Sequence, residues 1–288
     1  MTVVALASVK GSPGVTTAAT AIAASWPVGR KVLLVEADPF GGDLAPRYGA
    51  AVTGGLASLS AAARRTLTPE AVWEHTGELP GGLPVLFGLT NVNQAVANEN
   101  AWPAIASALA DLGADVVIDA GRLLPDFGGG IRHLLSRADT VAVLFAPTLE
   151  AIVHLRDILP SLAAEVRDRR LVVVPTATDG YSAAEIGCTL SVSVGPAMPD
   201  DPHAAAALAN RRSVRRLERT RLLRWAADFV SGLQLAPAPD TQTPSGEPAT
   251  EQGEGEAARD RRTKDPSSRA ETQAVAPAPV GANVEVGR

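Results

Sequence analysis

Lys10-Gly11-Ser12-Pro13-Gly14-Val15-Thr16-Thr17 decides the reading of this chain. Ahead of it, the apolar stretch Val3 to Val9 has the pattern of a strand. Behind it, Thr17 to Ser25 reads as a helix that Pro27 and Gly29 end. A strand feeding a glycine-rich turn at a helix N-terminus suits phosphate. Glycines let backbone N–H groups converge on an anion, and the helix dipole adds a favourable field. A threonine at the helix start can place its hydroxyl on Mg²⁺. The strict pattern G-x-x-x-x-G-K-[ST] is not met: Val9 stands at its first glycine and Val15 at its lysine. Taken alone, the stretch competes with a tight turn that binds nothing.

Outward from this loop, apolar runs alternate with alanine- and leucine-rich helical patterns. Lys31 to Glu36, Pro84 to Leu89, Asp115 to Asp119, Thr140 to Phe145, Leu171 to Val174 and Ser191 to Val194 read as strands. Ala101 to Leu112, Thr148 to Val166, a segment near Ser182, His203 to Asn210 and Ser213 to Gly232 read as helices. Continuous apolar strands separated by helices predict a mostly parallel sheet covered on both faces, a three-layer α/β/α domain. In such sheets ligands bind at the carboxyl ends of strands. Two further strand ends carry carboxylates: Glu36-Ala37-Asp38-Pro39-Phe40-Gly41-Gly42-Asp43, and Val116-Val117-Ile118-Asp119 followed by Ala120-Gly121-Arg122.

Together these elements resemble the MinD/ParA family of deviant Walker A P-loop ATPases, whose loop reads KGGxGKTT. The resemblance covers Thr2 to Gly232. It implies a P-loop NTPase-like α/β fold that binds ATP and Mg²⁺ through Lys10, Gly11, Ser12, Gly14, Val15, Thr16 and Thr17. In that family the leading lysine, here Lys10, reaches across a dimer interface to the partner's nucleotide, so a homodimer is implied. Asp38 matches the second acidic residue of the D-x-D-P-x-G-N segment, which positions the attacking water and the metal shell; Glu36 replaces the first. Asp119 matches the Walker B carboxylate that holds Mg²⁺ through water. The implied metal set is Thr16, Asp38 and Asp119, and the implied catalytic pair Lys10 and Asp38. Met198-Pro199-Asp200-Asp201 resembles the family's I-P-x-D loop against adenine, which assigns Pro199 and Asp201 to the base. The loop also looks like that of a divergent branch similar to the TadZ/CpaE pilus-localisation ATPases.

The remaining composition sets bounds. The chain has 288 residues, a net charge of -5 and 46% hydrophobic residues, enough apolar content for a sizeable core. One cysteine, Cys188, excludes a disulfide framework and reads as a buried, inert thiol. His75, His133, His154 and His203 lack metal-ligand spacing. No apolar run reaches the ~18 residues of a membrane span, and the N-terminus lacks the basic region of a signal peptide. A cytoplasmic protein without an integral membrane segment is expected. From Ala236 to Arg288 there is no Ile, Leu, Phe, Trp, Tyr or Met. A Pro/Ala/Glu-rich segment of this kind reads as a disordered tail, residues 236–288, following a nucleotide-binding domain over residues 1–235.

The most basic stretch, Asn210 to Trp225, places Val214, Leu217, Leu222, Trp225 and Phe229 on a core-facing helical stripe. Arg212, Arg215, Arg216 and Arg219 then fall on another face. That face is either a solvated surface or a contact for the phosphate backbone of non-specific DNA. The resemblance implies a positioning or partitioning ATPase whose dimer localises DNA, or a secretion or pilus machine, through a cargo protein or DNA-binding adaptor. Val15 weakens hydrolysis in this reading, because it supplies no charge to the β,γ-phosphates. The alternatives are a non-hydrolysing scaffold and a metabolic relative; the lone cysteine argues against an iron–sulfur carrier.

Overall fold

The computed structural model describes residues 1–11, 13–51, 54–64, 66–123, 129–167, 169–176, 180–211 and 213–233. Ser12, Arg212 and the expected tail at 236–288 lie outside the described residues. Among these residues, eight strands make one sheet: β1 Val3–Ser8, β2 Val32–Glu36, β3 Gly77–Leu79, β4 Leu83–Leu86, β5 Asp115–Arg122, β6 Thr140–Phe145, β7 Arg170–Pro175 and β8 Ser193–Val194. Their order is β3-β4-β2-β5-β1-β6-β7-β8. All pairings are parallel except β3 with β4.

The expected three layers are present. One sheet face packs under the helices Leu56–Ala62, Trp102–Ala110, Gly129–Leu135 and Leu149–Val166; Leu33, Ile105, Ile118 and Leu155 are buried there. The other packs under Val15–Ala24, Pro202–Leu208 and Arg221–Ser231, with Leu6, Ile22, Leu34 and Trp225 in its core. Every residue of β1 and β6 is buried, as strands covered on both faces require. At the sheet's amino edge, Asp115 accepts hydrogen bonds from the Thr2 N–H (2.7 Å) and Trp26 Nε1 (2.8 Å), and pairs with Arg30. Asp139 accepts from the Val3 N–H at 2.9 Å. These contacts fix the start of β1 between β5 and β6.

Three local readings need correction. The hairpin strand β3, only three residues long, has too little pattern to declare itself; it pairs with β4 through Pro80-Gly81-Gly82. The single helix expected from Ser213 is broken. Arg216 has φ 58°, Leu217–Arg219 is one 3₁₀ turn, and the helix proper is Arg221–Ser231. The Thr220 hydroxyl accepts the Leu223 N–H and starts that helix, so a strong capping residue overrides the longer periodicity. Cys188 is exposed, not buried. Its helix, Ala183–Leu190, buries only Ile186.

Candidate nucleotide site

Strand register brings the acidic residues together. β5 lies between β1 and β2, and Asp119 is opposite both Leu6 and Glu36. The segments after β1, β2 and β5 therefore emerge side by side. Asp119 is 1% exposed. One of its oxygens accepts the Gly121 N–H at 3.0 Å, and Oδ2 has no hydrogen-bond partner. Burial pushes its carboxyl up to about 7, and repulsion from Glu36 and Asp38 adds to this. The nearby Thr16 hydroxyl opposes the shift without completing a hydrogen bond of ordinary geometry. A buried carboxylate with one orphaned oxygen beside a threonine hydroxyl suits a hard cation.

The glycine turn supplies the other wall. Gly11 and Gly14 have φ of 74° and 93°, in the left-handed region that glycine enters without strain. A Cβ on Gly14 would stand 3.3 Å from Cε of Met198, so the turn also sits tightly on the Met198 loop. Gly14 leads into the helix Val15–Ala24, which no side chain caps; its first-turn N–H groups remain donors for an anion. A cleft of about 620 Å³ opens over Gly11, Gly14, Thr16, Thr17, Asp38 and Arg122. A second, of about 300 Å³, shares Pro13, Gly14 and Thr17 with it and runs to Thr176, Met198 and Pro199. The two meet along one wall, as the phosphate and base ends of a nucleotide would require.

The structure brings Gly11, Gly14, Thr16, Thr17 and Asp38 together around the first cleft, with Asp119 buried behind them. Asp38 is half-buried; its Oδ1 accepts the Phe40 N–H at 2.8 Å, and burial raises its carboxyl. Gly121, with φ 60°, is its seat, because a Cβ there would overlap the Asp38 side chain. Val15 is 6% exposed: its methyls line the cleft floor and join the core beneath the first helix. Lys10 does not line this cleft; its Nζ lies 3.0 Å from Nε2 of His154 on the helix Leu149–Val166. Pro199 and Asp201 border the second cleft. The Asp201 carboxylate is already engaged, accepting the N–H groups of Ala204 (3.1 Å) and Leu222 (3.3 Å).

Glu36 is the largest surprise at the site. It is 1% exposed and takes no place in the cleft. Oε1 accepts the N–H groups of Asp43 (2.6 Å) and Leu44 (2.8 Å), and Oε2 that of Gly88 (3.0 Å). It is an internal staple for the segment carrying Asp38. The readable signal was a lone Glu ending an all-apolar strand, since a buried carboxylate must find donors. Arg47, Arg122 and Arg211, which bring positive charge to the first cleft, were also missed. They come from three separate segments that only the fold unites. Arg215, Arg216 and Arg219 are exposed but sit on a turn and a 3₁₀ segment rather than on one helical face.

Among the described residues no three His, Cys, Asp or Glu side chains form a cage for a metal. No helix of the described residues is long and apolar enough to cross a membrane.

Sheet order, glycine turn and acidic strand ends define the class: the chain has the fold of the MinD/ParA P-loop ATPases. Similar solved structures include a ParA family ATPase from Chlorobium tepidum TLS, with a TM-score of 0.66 and 19% identity over 81% of this chain and 99% of that one. MinD from Pyrococcus horikoshii OT3, complexed with Mg-ADP, gives 0.61 and 13% over 80% and 94%. A Cyanothece McdA–ATP complex gives 0.57 and 14% over 82% and 99%. No family model and no curated protein sequence matches the chain.

Proposed function

We propose that this chain binds ATP with Mg²⁺ and acts as a positioning or partitioning ATPase. The observation that supports this most is the orphaned Oδ2 of buried Asp119 beside Thr16, at the mouth of an uncapped glycine-turn helix. The N–H groups of the turn hold the phosphates, Thr16 and Asp119 hold the cation, and Asp38 orients the attacking water. Mg²⁺, when bound, neutralises charge on the phosphate oxygens. Solved structures of the same fold with Mg-ADP and with ATP support the choice of ligand. Residues 1–235 form the nucleotide-binding domain in this reading. Calorimetric titration with ATP and Mg²⁺ should show saturable binding that Thr16→Ala weakens at least ~10-fold. No heat and no thermal shift at millimolar ATP would reject the reading.

Turnover is slow in this proposal. Removing one well-aimed electrostatic donor from a site lowers rates by about 10²–10³-fold, and Val15 carries neither donor nor charge. Lys10, outside its own cleft, would in this reading act on a second copy's phosphates in a homodimer. Phosphate release should then rise more than linearly with protein concentration and vanish in Lys10→Ala. Brisk turnover, linear in protein and indifferent to Lys10→Ala, would sink this part. The dimer would localise a cargo: DNA, or a secretion or pilus machine, through a cargo protein or DNA-binding adaptor, in the cytoplasm. Direct non-specific DNA contact through Arg215, Arg216 and Arg219 is the further possibility, and binding that falls steeply with salt marks it. The second reading, a non-hydrolysing nucleotide-binding scaffold, rests on the burial of Val15 in the core.

A further inference from the structure

A polyphosphate entering the first cleft meets unfavourable charge. Asp38 and Asp43 line it, and Glu36 and Asp119 stand behind. Val15 presents methyl groups at the helix start. The arginines that line the cleft are Arg47, Arg122 and Arg211. Arg47 is committed to Asp43, with Nη2 2.5 Å from its carboxylate.

Arg122 is held differently. It ends β5, three residues after Asp119, and its backbone pairs in register with Ser8, the last residue of β1. It is exposed and forms no ion pair among the described residues, although its charge is close enough to Asp38 to favour that residue's ionised form. Its guanidinium carbon lies 4.9 Å from the ring centroid of Phe40, which is itself 44% exposed at the cleft's edge. An aromatic face orients a guanidinium by cation–π attraction while leaving its N–H edge free for an anion.

We propose that Arg122 is the cationic ligand of the terminal phosphate, with Phe40 as the platform that presents it. This rests on the nucleotide reading above. The charge then arrives from the end of β5 rather than from the first turn of the helix. A planar guanidinium takes two phosphate oxygens at once, which a point charge does not. Because Phe40 follows β2 and Arg122 ends β5, a terminal phosphate on Arg122 draws both strand ends toward the glycine turn. A triphosphate is therefore preferred over a diphosphate.

The test is calorimetric titration of the full chain with Mg²⁺ and either ADP or a non-hydrolysable ATP analogue. Wild type, Arg122→Ala, Arg122→Lys and Phe40→Leu are compared, with thermal unfolding of each as a check on folding. Arg122→Ala should weaken the triphosphate analogue by ~10–100-fold, the worth of a charged hydrogen-bonded pair, and ADP by less than ~3-fold. Arg122→Lys should recover part of the loss, and Phe40→Leu should fall between. A merely structural Arg122 would weaken both nucleotides together or shift the unfolding midpoint, and either result overturns the assignment. Unchanged discrimination in Arg122→Ala overturns it too, with nucleotide binding still standing. A wild-type chain that binds neither ligand overturns the nucleotide reading itself.

Discussion

Glu36→Ala is expected to lower the free energy of unfolding by about 3–4 kcal/mol, or to prevent folding at moderate temperature. Its carboxylate receives three backbone N–H groups, from Asp43, Leu44 and Gly88. Each such bond contributes about 1 kcal/mol or more net, and losing the acceptor leaves the donors without replacement. For a domain of this size that is a drop in melting temperature of roughly 6–15 °C. Gly42 and Gly88 pack directly against the Glu36 side chain, so its removal also leaves a void between them. Chemical denaturation measures the effect. A loss under ~1 kcal/mol would show that the segment after β2 is held by other contacts.

Asp119→Asn should do the opposite to stability while abolishing Mg²⁺-dependent nucleotide binding. Burial lifts the Asp119 carboxyl from its usual 3.8 to about 7. The folded chain thus holds a proton that the unfolded chain releases. Its contribution is fully present below pH ~4 and is lost as pH rises through about 7. Above that, an ionised carboxylate buried without a cation costs the folded state up to ~4 kcal/mol. Glu36 and Asp38 are also raised, chiefly by burial. At pH 8 without nucleotide, Asp119→Asn should melt roughly 5–10 °C above wild type, and near pH 4 the two should converge. A variant less stable than wild type at pH 8 would contradict the assignment of Oδ2 as an unmet acceptor.

Much of the fold was legible because its signals are local. The apolar runs of β1, β2, β5 and β6 appear within a residue or two of where periodicity puts them, except that β5 runs three residues past Asp119. The glycine turn and Asp38 each follow a parallel strand and Asp119 lies near the end of β5, so all three gather at the same end of the sheet. The rest depends on what crosses the sheet. Glu36 is a staple only because β4 brings Gly88 beside β2. Arg122 belongs to the cleft only because Phe40 stands under it. Asp201 is written as a loop residue but acts as a double cap, since the N-terminus of the helix Arg221–Ser231 arrives beside it. Cys188 is exposed because its helix lies over the short β8 and buries only Ile186.

The partition between the two clefts has a consequence for any attempt to redesign this protein. Pro13, Gly14 and Thr17 border both of them, and a Cβ on Gly14 would crowd Cε of Met198 at 3.3 Å. In the nucleotide reading proposed above, base preference and phosphate-chain preference would share these three residues. In that reading, a library that varies Thr17 to change the preferred base would drag the phosphate preference with it. Orthogonal control would have to come from positions that touch one cleft alone, such as Thr176 at one end or Phe40 at the other.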